Sequence, residues 1–164
     1  MSPLPCAVPL KQAPSPRASP RPFVLPVYSR IRHAVDYVAA GVLVYARGKD
    51  GLAYLLLGHE RRKSEGWCFM IGTVDKRESP VAAAAREMHE ESCGVYSIST
   101  SRLKGMPCFT SGYQLLFVAP AVMVDATVLN ELSSLHLASG RRNMAEMSEY
   151  LWVRSYASCL VLIR

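Results

Sequence analysis

The most informative part of this 164-residue chain is GTVDKRESPVAAAAREMHEESCGV, which spans residues 72–95. Three of its glutamates, Glu87, Glu90 and Glu91, stand three and four residues apart. On an α-helix this spacing places the three carboxylates on one face, with neighbouring Cβ atoms about 5–6 Å apart. Like charges at that separation repel, and a divalent cation held by carboxylate oxygens would relieve the repulsion. The spacing therefore indicates a metal site.

A simpler alternative is a solvated helix face, on which Arg86 pairs with Glu90 four residues later. The residues that frame the segment favour a functional interpretation. Ser79 is a good N-cap and Pro80 suits the first helical position, while Gly94 marks a C-terminal stop. The acidic cluster thus falls in the last turn, where the helix dipole disfavours negative charge. Three carboxylates in the last turn destabilise the helix, and a functional role is the better explanation for their presence there.

The segment resembles the Nudix box, whose pattern is G-x5-E-x7-R-E-U-x-E-E-x-G-U with U an aliphatic residue. The pattern is matched at the right spacing through the paired glutamates. The residues at its fixed positions are Gly72, Glu78, Arg86, Glu87, Glu90 and Glu91. Trp67 and Phe69 also resemble the aromatic lead-in that usually precedes the box. The resemblance identifies the chain as a member of the Nudix hydrolase family.

The chain departs from the family pattern at three places. Two residues, Ser92 and Cys93, stand before the final glycine where the family has one. Met70 and Ile71 replace the usual proline and glycine, and Arg77 takes a place often held by glycine, which tolerates positive φ. Every acidic position of the family is retained.

The Nudix resemblance implies an α/β/α sandwich with a mixed sheet and a hydrolase that acts on acid anhydrides. The expected activity is metal-dependent cleavage of the pyrophosphate linkage of a nucleoside diphosphate joined to another moiety, such as a dinucleoside polyphosphate. The implied ligands of Mg²⁺ or Mn²⁺ are the carbonyl of Gly72 and the carboxylates of Glu87, Glu90 and Glu91. An ion pair between Glu78 and Arg86 is expected to orient the helix.

Several glutamates are candidates for the general base, because the base differs among family members. We expect Glu87 or Glu90 in this role, with Arg86 supporting catalysis. In some relatives a glutamate from a distant loop acts instead, and Glu146 and Glu149 are the candidates here.

Substrate-binding residues are expected outside the box. Arg61 and Arg62 lie in the charged run 59–63 and could bind a polyphosphate, although surface charge runs are often only solvated. Tyr113 stands 18 residues beyond Val95, where relatives acting on dinucleoside polyphosphates carry a base-stacking tyrosine. As part of an alternating apolar strand, Tyr113 could equally belong to the core.

A non-catalytic Nudix-fold module that binds a nucleotide or an RNA end is the rival interpretation. The expected partner in either case is a small-molecule nucleotide, and no feature of the sequence specifically supports RNA. Zinc is not expected, because His89 and Cys93 lack the second histidine of an H-E-x-x-H motif.

The net charge of +6 is concentrated in residues 1–33, which contain five Lys and Arg residues, no acid and eight of the eleven prolines. This composition predicts a disordered basic extension, followed by the Nudix domain at residues 34–164 with a C-terminal end expected to be shortened. The extension also has the acid-free character of a mitochondrial targeting peptide, although its prolines oppose an amphipathic helix.

The five cysteines show no paired spacing, which favours an intracellular and more specifically a cytoplasmic location. No apolar run approaches the roughly 18 residues that span a bilayer, so no membrane partner is expected.

The periodicity predicts alternating strands and two helices within a single domain. The predicted strands are residues 37–46, 53–57, 67–74, 96–103, 113–124 and 150–153, and the predicted helices are residues 79–92 and 128–137. Strands interleaved with two helices indicate a mixed sheet with helices packed on both of its faces.

Overall fold

A computed structural model describes residues 36–62 and 66–155. The first strands, β1 (Ala39–Arg47) and β2 (Ala53–Glu60), form the expected antiparallel hairpin. Its turn closes through a hydrogen bond from the Gly51 N–H to the Gly48 carbonyl at 2.9 Å.

The remaining elements confirm most of the predicted segments. In chain order they are β3 (Trp67–Cys68), β4 (Met70–Thr73), α1 (Pro80–Glu91), α2 (Thr100–Lys104), β5 (Cys108–Ser111), β6 (Gln114–Pro120), α3 (Ala126–Ala138), the 3-10 helix Arg142–Ala145 and β7 (Met147–Arg154). Strand β5 and the 3-10 helix are four residues each and were not predicted.

The sheet has seven strands and is mixed. β1 lies parallel to β6 on one side and antiparallel to both β2 and β4 on the other. The outer positions are taken by β5, which pairs with β6, and by β7, which pairs with β2. The predicted α/β class with a mixed sheet is therefore confirmed.

Two apolar clusters lie on opposite faces of the sheet, because successive strand residues point to opposite sides. The larger cluster combines Val42 and Phe117 from the strands with helix residues such as Met88, Leu103 and Leu129. The smaller cluster consists of sheet residues and the β3–β4 link, and its members are Leu43, Tyr45, Leu55, Phe69, Ile71, Phe109, Leu116 and Val118. Within the part of the chain that the structure describes, the helices contribute only to the larger cluster.

The prediction of a strand at residues 96–103 is wrong. The segment is a loop that leads into α2, and the Ser99 Oγ caps this helix by accepting a hydrogen bond from the Arg102 N–H at 3.3 Å. Tyr96 is buried in the loop, with its hydroxyl donating to the Val122 carbonyl at 2.9 Å. A capping serine thus outweighed the moderate alternation of apolar residues.

Residues 1–35, 63–65 and 156–164 lie outside the described residues. They include the predicted extension at residues 1–33, the last residue of the charged run 59–63 and the C-terminal end that was expected to be shortened. Cys93 and Cys108 are free thiols. No helix in the described ranges is both long and apolar enough to cross a bilayer.

Candidate active site

Helix α1 carries the acidic cluster, and its limits agree with the signals in the sequence. Ser79 is the N-cap, with its Oγ accepting from the Ala82 N–H at 3.2 Å, and Pro80 is the first helical residue. The helix buries Val81 and Met88 against the sheet. This packing fixes the rotation of α1 and therefore the direction in which its glutamates point.

The inserted residue lies beyond the acidic face. After Ser92 the chain passes through two left-handed residues, Cys93 at φ 56° and Gly94 at φ 77°. The Gly94 N–H donates to the His89 carbonyl at 2.8 Å, which closes the end of the helix. The extra residue is absorbed in this exit, so the helical geometry holds through Glu91.

Two of the three clustered glutamates are buried. Glu87 is 7% exposed and Glu91 is 4% exposed, whereas the side chain of Glu90 is 23% exposed. Ionisable side chains are rarely buried without a partner, because removing a carboxylate from water is costly. The alternative of a solvated helix face therefore does not hold for Glu87 and Glu91.

Gly72 on strand β4 makes room for the carboxylate of Glu87. A Cβ atom added at Gly72 would overlap the Glu87 carboxyl carbon and both of its oxygens. Only glycine lets the backbone of β4 and this carboxylate lie so close together. The box glycine and the box glutamate therefore meet, although they are 15 positions apart in the sequence.

Arg86 joins the acids of the box loop to those of the helix. Its Nε and Nη2 donate to the two carboxylate oxygens of Glu78 at 3.1 and 2.9 Å, and Nη2 also donates to the Thr73 carbonyl at 2.9 Å. Its Nη1 contacts Glu87 Oε1 at 2.6 Å and Glu90 Oε2 at 3.2 Å. The hydrogen bond from Arg86 lowers the pKa of Glu78. The ion pair that the family resemblance implied is thus present in the structure.

Glu91 is the least compensated member of the cluster. Its Oε2 is buried and has no hydrogen-bond partner. Burial, followed by the charge of Glu87, raises the pKa of Glu91 to about 9. Burial also raises the pKa of Glu87, and the neighbouring Arg86 opposes that shift. The single guanidinium of Arg86 therefore neutralises only part of the negative charge of the cluster.

The predicted metal ligands share one place but do not form a finished coordination site. Among residues 36–62 and 66–155, no group of three or more His, Cys, Asp or Glu side chains is arranged to hold a metal ion. The Arg86 Nη1 lies where the carboxylates of Glu87 and Glu90 converge. The donor chemistry nevertheless suits a hard cation, since all the available donors are oxygens and one is a buried orphan.

The two arginines expected to bind substrate occupy different environments. The Arg61 side chain donates to the Ala145 carbonyl at 3.1 Å, to the Ser133 Oγ at 3.2 Å and to the Met147 carbonyl at 3.4 Å. These bonds fasten the end of β2 to the 3-10 helix and to the start of β7. Arg62 is exposed and lines a cleft beside the 3-10 helix.

Tyr113 is not a core residue. It is 67% exposed in the turn between β5 and β6, and its carbonyl accepts from the Val38 N–H at 2.9 Å. The Val38 carbonyl in turn accepts from the Val74 N–H at 3.0 Å. Tyr113 therefore lies at the end of the sheet where the box loop begins, with its ring free to contact a ligand.

Two residues near the acids were not singled out from the sequence. The Asn143 Nδ2 donates to Glu90 Oε1 at 2.9 Å, and Arg142 lines the same cleft as Arg62. Both belong to the 3-10 helix, and Asn143 lies 53 positions beyond Glu90 in the sequence. No spacing rule within the box could have identified them.

The distant glutamates are also distinguished by the structure. The charge of Glu146 reaches the cluster and contributes to the raised pKa values of Glu87 and Glu91. Glu149 lies within β7, opposite His59.

A family model described as the NUDIX domain matches residues 36–121, which is more than half of the chain. No curated protein sequence matches the chain.

Among solved structures, a C. elegans Ap4A hydrolase in a binary complex is similar at 19% identity and a TM-score of 0.47, covering 77% of this chain and 92% of its own. A MutT/nudix family protein from Enterococcus faecalis has 15% identity and a TM-score of 0.46, covering 82% and 48%. The NUDIX domain of Shewanella oneidensis NrtR, complexed with ADP ribose, has 11% identity and a TM-score of 0.42, covering 84% of both chains.

The fold is a mixed sheet that carries the acidic helix α1, and the domain match includes this helix. The domain match is specific enough to name the family. The chain belongs to the Nudix family and is a Nudix-type hydrolase.

Proposed function

We propose that this protein hydrolyses the pyrophosphate linkage of a nucleoside diphosphate joined to another moiety, with bound Mg²⁺ or Mn²⁺. The proposed metal-binding groups are the carboxylates of Glu87, Glu90 and Glu91 and the carbonyl of Gly72. The observation that carries the proposal is the buried Glu91 carboxylate, which has an unpartnered oxygen and lies beside the buried Glu87.

Two physical arguments support a divalent cation at this place. A buried carboxylate without a partner is costly, and a cation would satisfy the orphaned oxygen and weaken the repulsion from Glu87. Oxygen-only donors favour Mg²⁺ or Mn²⁺ over zinc or copper. When bound, such an ion neutralises phosphate charge and lowers the pKa of an attacking water.

Arg86 can keep its position when some of its hydrogen bonds are broken. Its Nε and Nη2 are held by Glu78 and by the Thr73 carbonyl, so the side chain stays anchored when Nη1 leaves Glu87 and Glu90. Release of Nη1 would free one oxygen on each of these carboxylates. In this proposal Arg86 orders the loop and the helix in relation to each other and touches no reacting atom.

Glu146 is the better placed of the two remote candidates for general base. It is exposed, it lines the cleft, and its charge acts on Glu87 and Glu91. Glu149 points from β7 at the position paired with His59. Glu87 and Glu90 remain candidates from the box itself, and Glu146→Gln is the variant that separates the two possibilities through its effect on turnover.

The test is Mg²⁺-dependent product release across a panel of nucleoside diphosphate derivatives and dinucleoside polyphosphates. We expect the wild type to hydrolyse at least one of them and Glu91→Gln to be slower by about 100-fold or more, because a ligand to the metal is lost. Glu131→Gln removes an exposed carboxylate on α3 and should leave the rate unchanged.

Circular dichroism should show that all three proteins are folded. A folded wild type that is inert on the whole panel but still binds a nucleotide would overturn the proposal and favour the non-catalytic binding module.

A further inference from the structure

A cleft of about 250 Å³ lies between the end of β2, the 3-10 helix and the end of α3. Its charged lining consists of three arginines, Arg61, Arg62 and Arg142, and two glutamates, Glu60 and Glu146. Positive side chains thus line a concave surface that also contains one of the candidate bases.

One wall of the cleft is joined to the acidic cluster by a hydrogen bond. The Asn143 Nδ2 binds Glu90 Oε1 at 2.9 Å, so the 3-10 helix that forms one wall is attached to α1. On its other side the Arg61 N–H donates to the Glu146 carbonyl at 2.7 Å. This wall is therefore fixed between the proposed metal ligands and the end of β2.

Only some of the guanidinium groups in the cleft are used to hold the fold. Arg61 donates to three protein acceptors. Arg62 and Arg142 are exposed, and neither forms an ion pair or a side-chain hydrogen bond with another residue of the described ranges. Two cations without such a partner therefore lie in the wall next to a site where phosphate would be cleaved.

We propose that Arg62 and Arg142 bind substrate phosphate beyond the diphosphate that is cleaved, and that the substrate therefore carries at least three phosphates. This inference rests on the proposed function. A divalent cation held by the acidic cluster would neutralise the diphosphate at the scissile bond, whereas the further charge of a longer phosphate chain would need other cations. Guanidinium groups bind phosphate oxygens through paired, charge-assisted hydrogen bonds.

The test compares methylene-bridged analogues of ADP and ATP, which resist hydrolysis at the bridge, by calorimetry in the presence of Mg²⁺. Arg142→Gln and Arg62→Gln should each weaken binding of the ATP analogue by about tenfold, because a charge-assisted hydrogen bond is lost. Binding of the ADP analogue should change by less than about twofold, since this analogue has no further phosphate with which Arg62 or Arg142 could form that hydrogen bond. Arg142→Lys should restore part of the loss, because it retains the charge.

Arg102→Gln is the matched control, since Arg102 is an exposed arginine on α2 outside the cleft. It should leave both affinities unchanged. Equal weakening for the two analogues, no weakening in either variant, or a wild type that does not bind the ATP analogue would each overturn the inference.

The hydrolysis assay on the nucleotide panel distinguishes failure of the phosphate-binding inference from failure of the proposed function. Hydrolysis that depends on Glu91, combined with cleft variants that do not discriminate between the analogues, would overturn the third-phosphate site alone. An inert panel with selective loss of the ATP analogue would overturn the proposed hydrolysis and support the phosphate-binding cleft.

Discussion

Gly72 shows how the absence of one side chain shapes the candidate site. Its backbone lies against the Glu87 carboxylate, and no Cβ fits between them. The backbone of Gly72 does not adopt the left-handed conformation that excludes other residues. An alanine at this position would therefore leave the strand intact and act mainly by displacing Glu87.

We expect Gly72→Ala to reduce Mg²⁺-dependent hydrolysis by about tenfold or more, because the proposed metal ligand no longer reaches its position. The rate would be measured on the substrate found with the nucleotide panel. Gly105→Ala is the control, since a Cβ there meets only the Arg102 carbonyl at 3.5 Å. Full activity in Gly72→Ala would show that the close approach to Glu87 has no catalytic role.

The sequence predicted individual residues well where the relevant partners are near in the chain. The Arg86–Glu90 pair follows from helical spacing alone, and the positive φ of Arg77, at 72°, agrees with the glycine usual at that place in the family. The contact of Asn143 with Glu90 could not be predicted, since it joins residues 53 positions apart. Such contacts depend on how α1 and the 3-10 helix are placed by the sheet.

Among the elements, α1 was predicted within one residue at each end because its N-cap, its proline and its exit glycine are all local signals. The 3-10 helix has no comparable signal. Its position is set by Arg61, whose side chain reaches from β2 to Ala145, Ser133 and Met147.

This difference between neighbouring arginines gives a prediction for stability. Arg61→Ala should lower the free energy of unfolding by about 1–3 kcal/mol, because several partly buried acceptors lose their donor. Arg62→Ala should change it by less than about 0.5 kcal/mol, as expected for an exposed residue without such contacts. Urea denaturation of both variants measures the two values. Equal destabilisation by the two substitutions would contradict the structural role of Arg61.

In the molecule as a whole, the mixed sheet was predictable from the alternation of strands and helices, whereas the order of its strands was not predicted. The distribution of apolar residues between the two faces of the sheet was harder to predict from the sequence. The smaller cluster draws on Phe69 and Ile71 from the β3–β4 segment and Phe109 from the short strand β5. Each of these segments is too short to show a clear period of two.

Burial is the feature that changes the interpretation of the whole site. Sequence spacing could place Glu87, Glu90 and Glu91 on one helix face, but it could not show that two of them are removed from solvent. The packing of α1 on β4 buries Glu87 and Glu91 together, and it leaves the orphaned oxygen on Glu91. The central claim is that a divalent cation satisfies this group.

Isothermal titration of the folded protein with Mg²⁺ and Mn²⁺ tests that claim most directly. We predict saturable binding of at least one of these ions by the wild type and a loss of affinity of about tenfold or more in Glu91→Gln, since a carboxylate ligand becomes a neutral amide. Glu131→Gln, which removes an exposed carboxylate elsewhere, should bind as the wild type does. Absence of metal uptake by well-folded wild-type protein, or unchanged affinity in Glu91→Gln, would contradict the account.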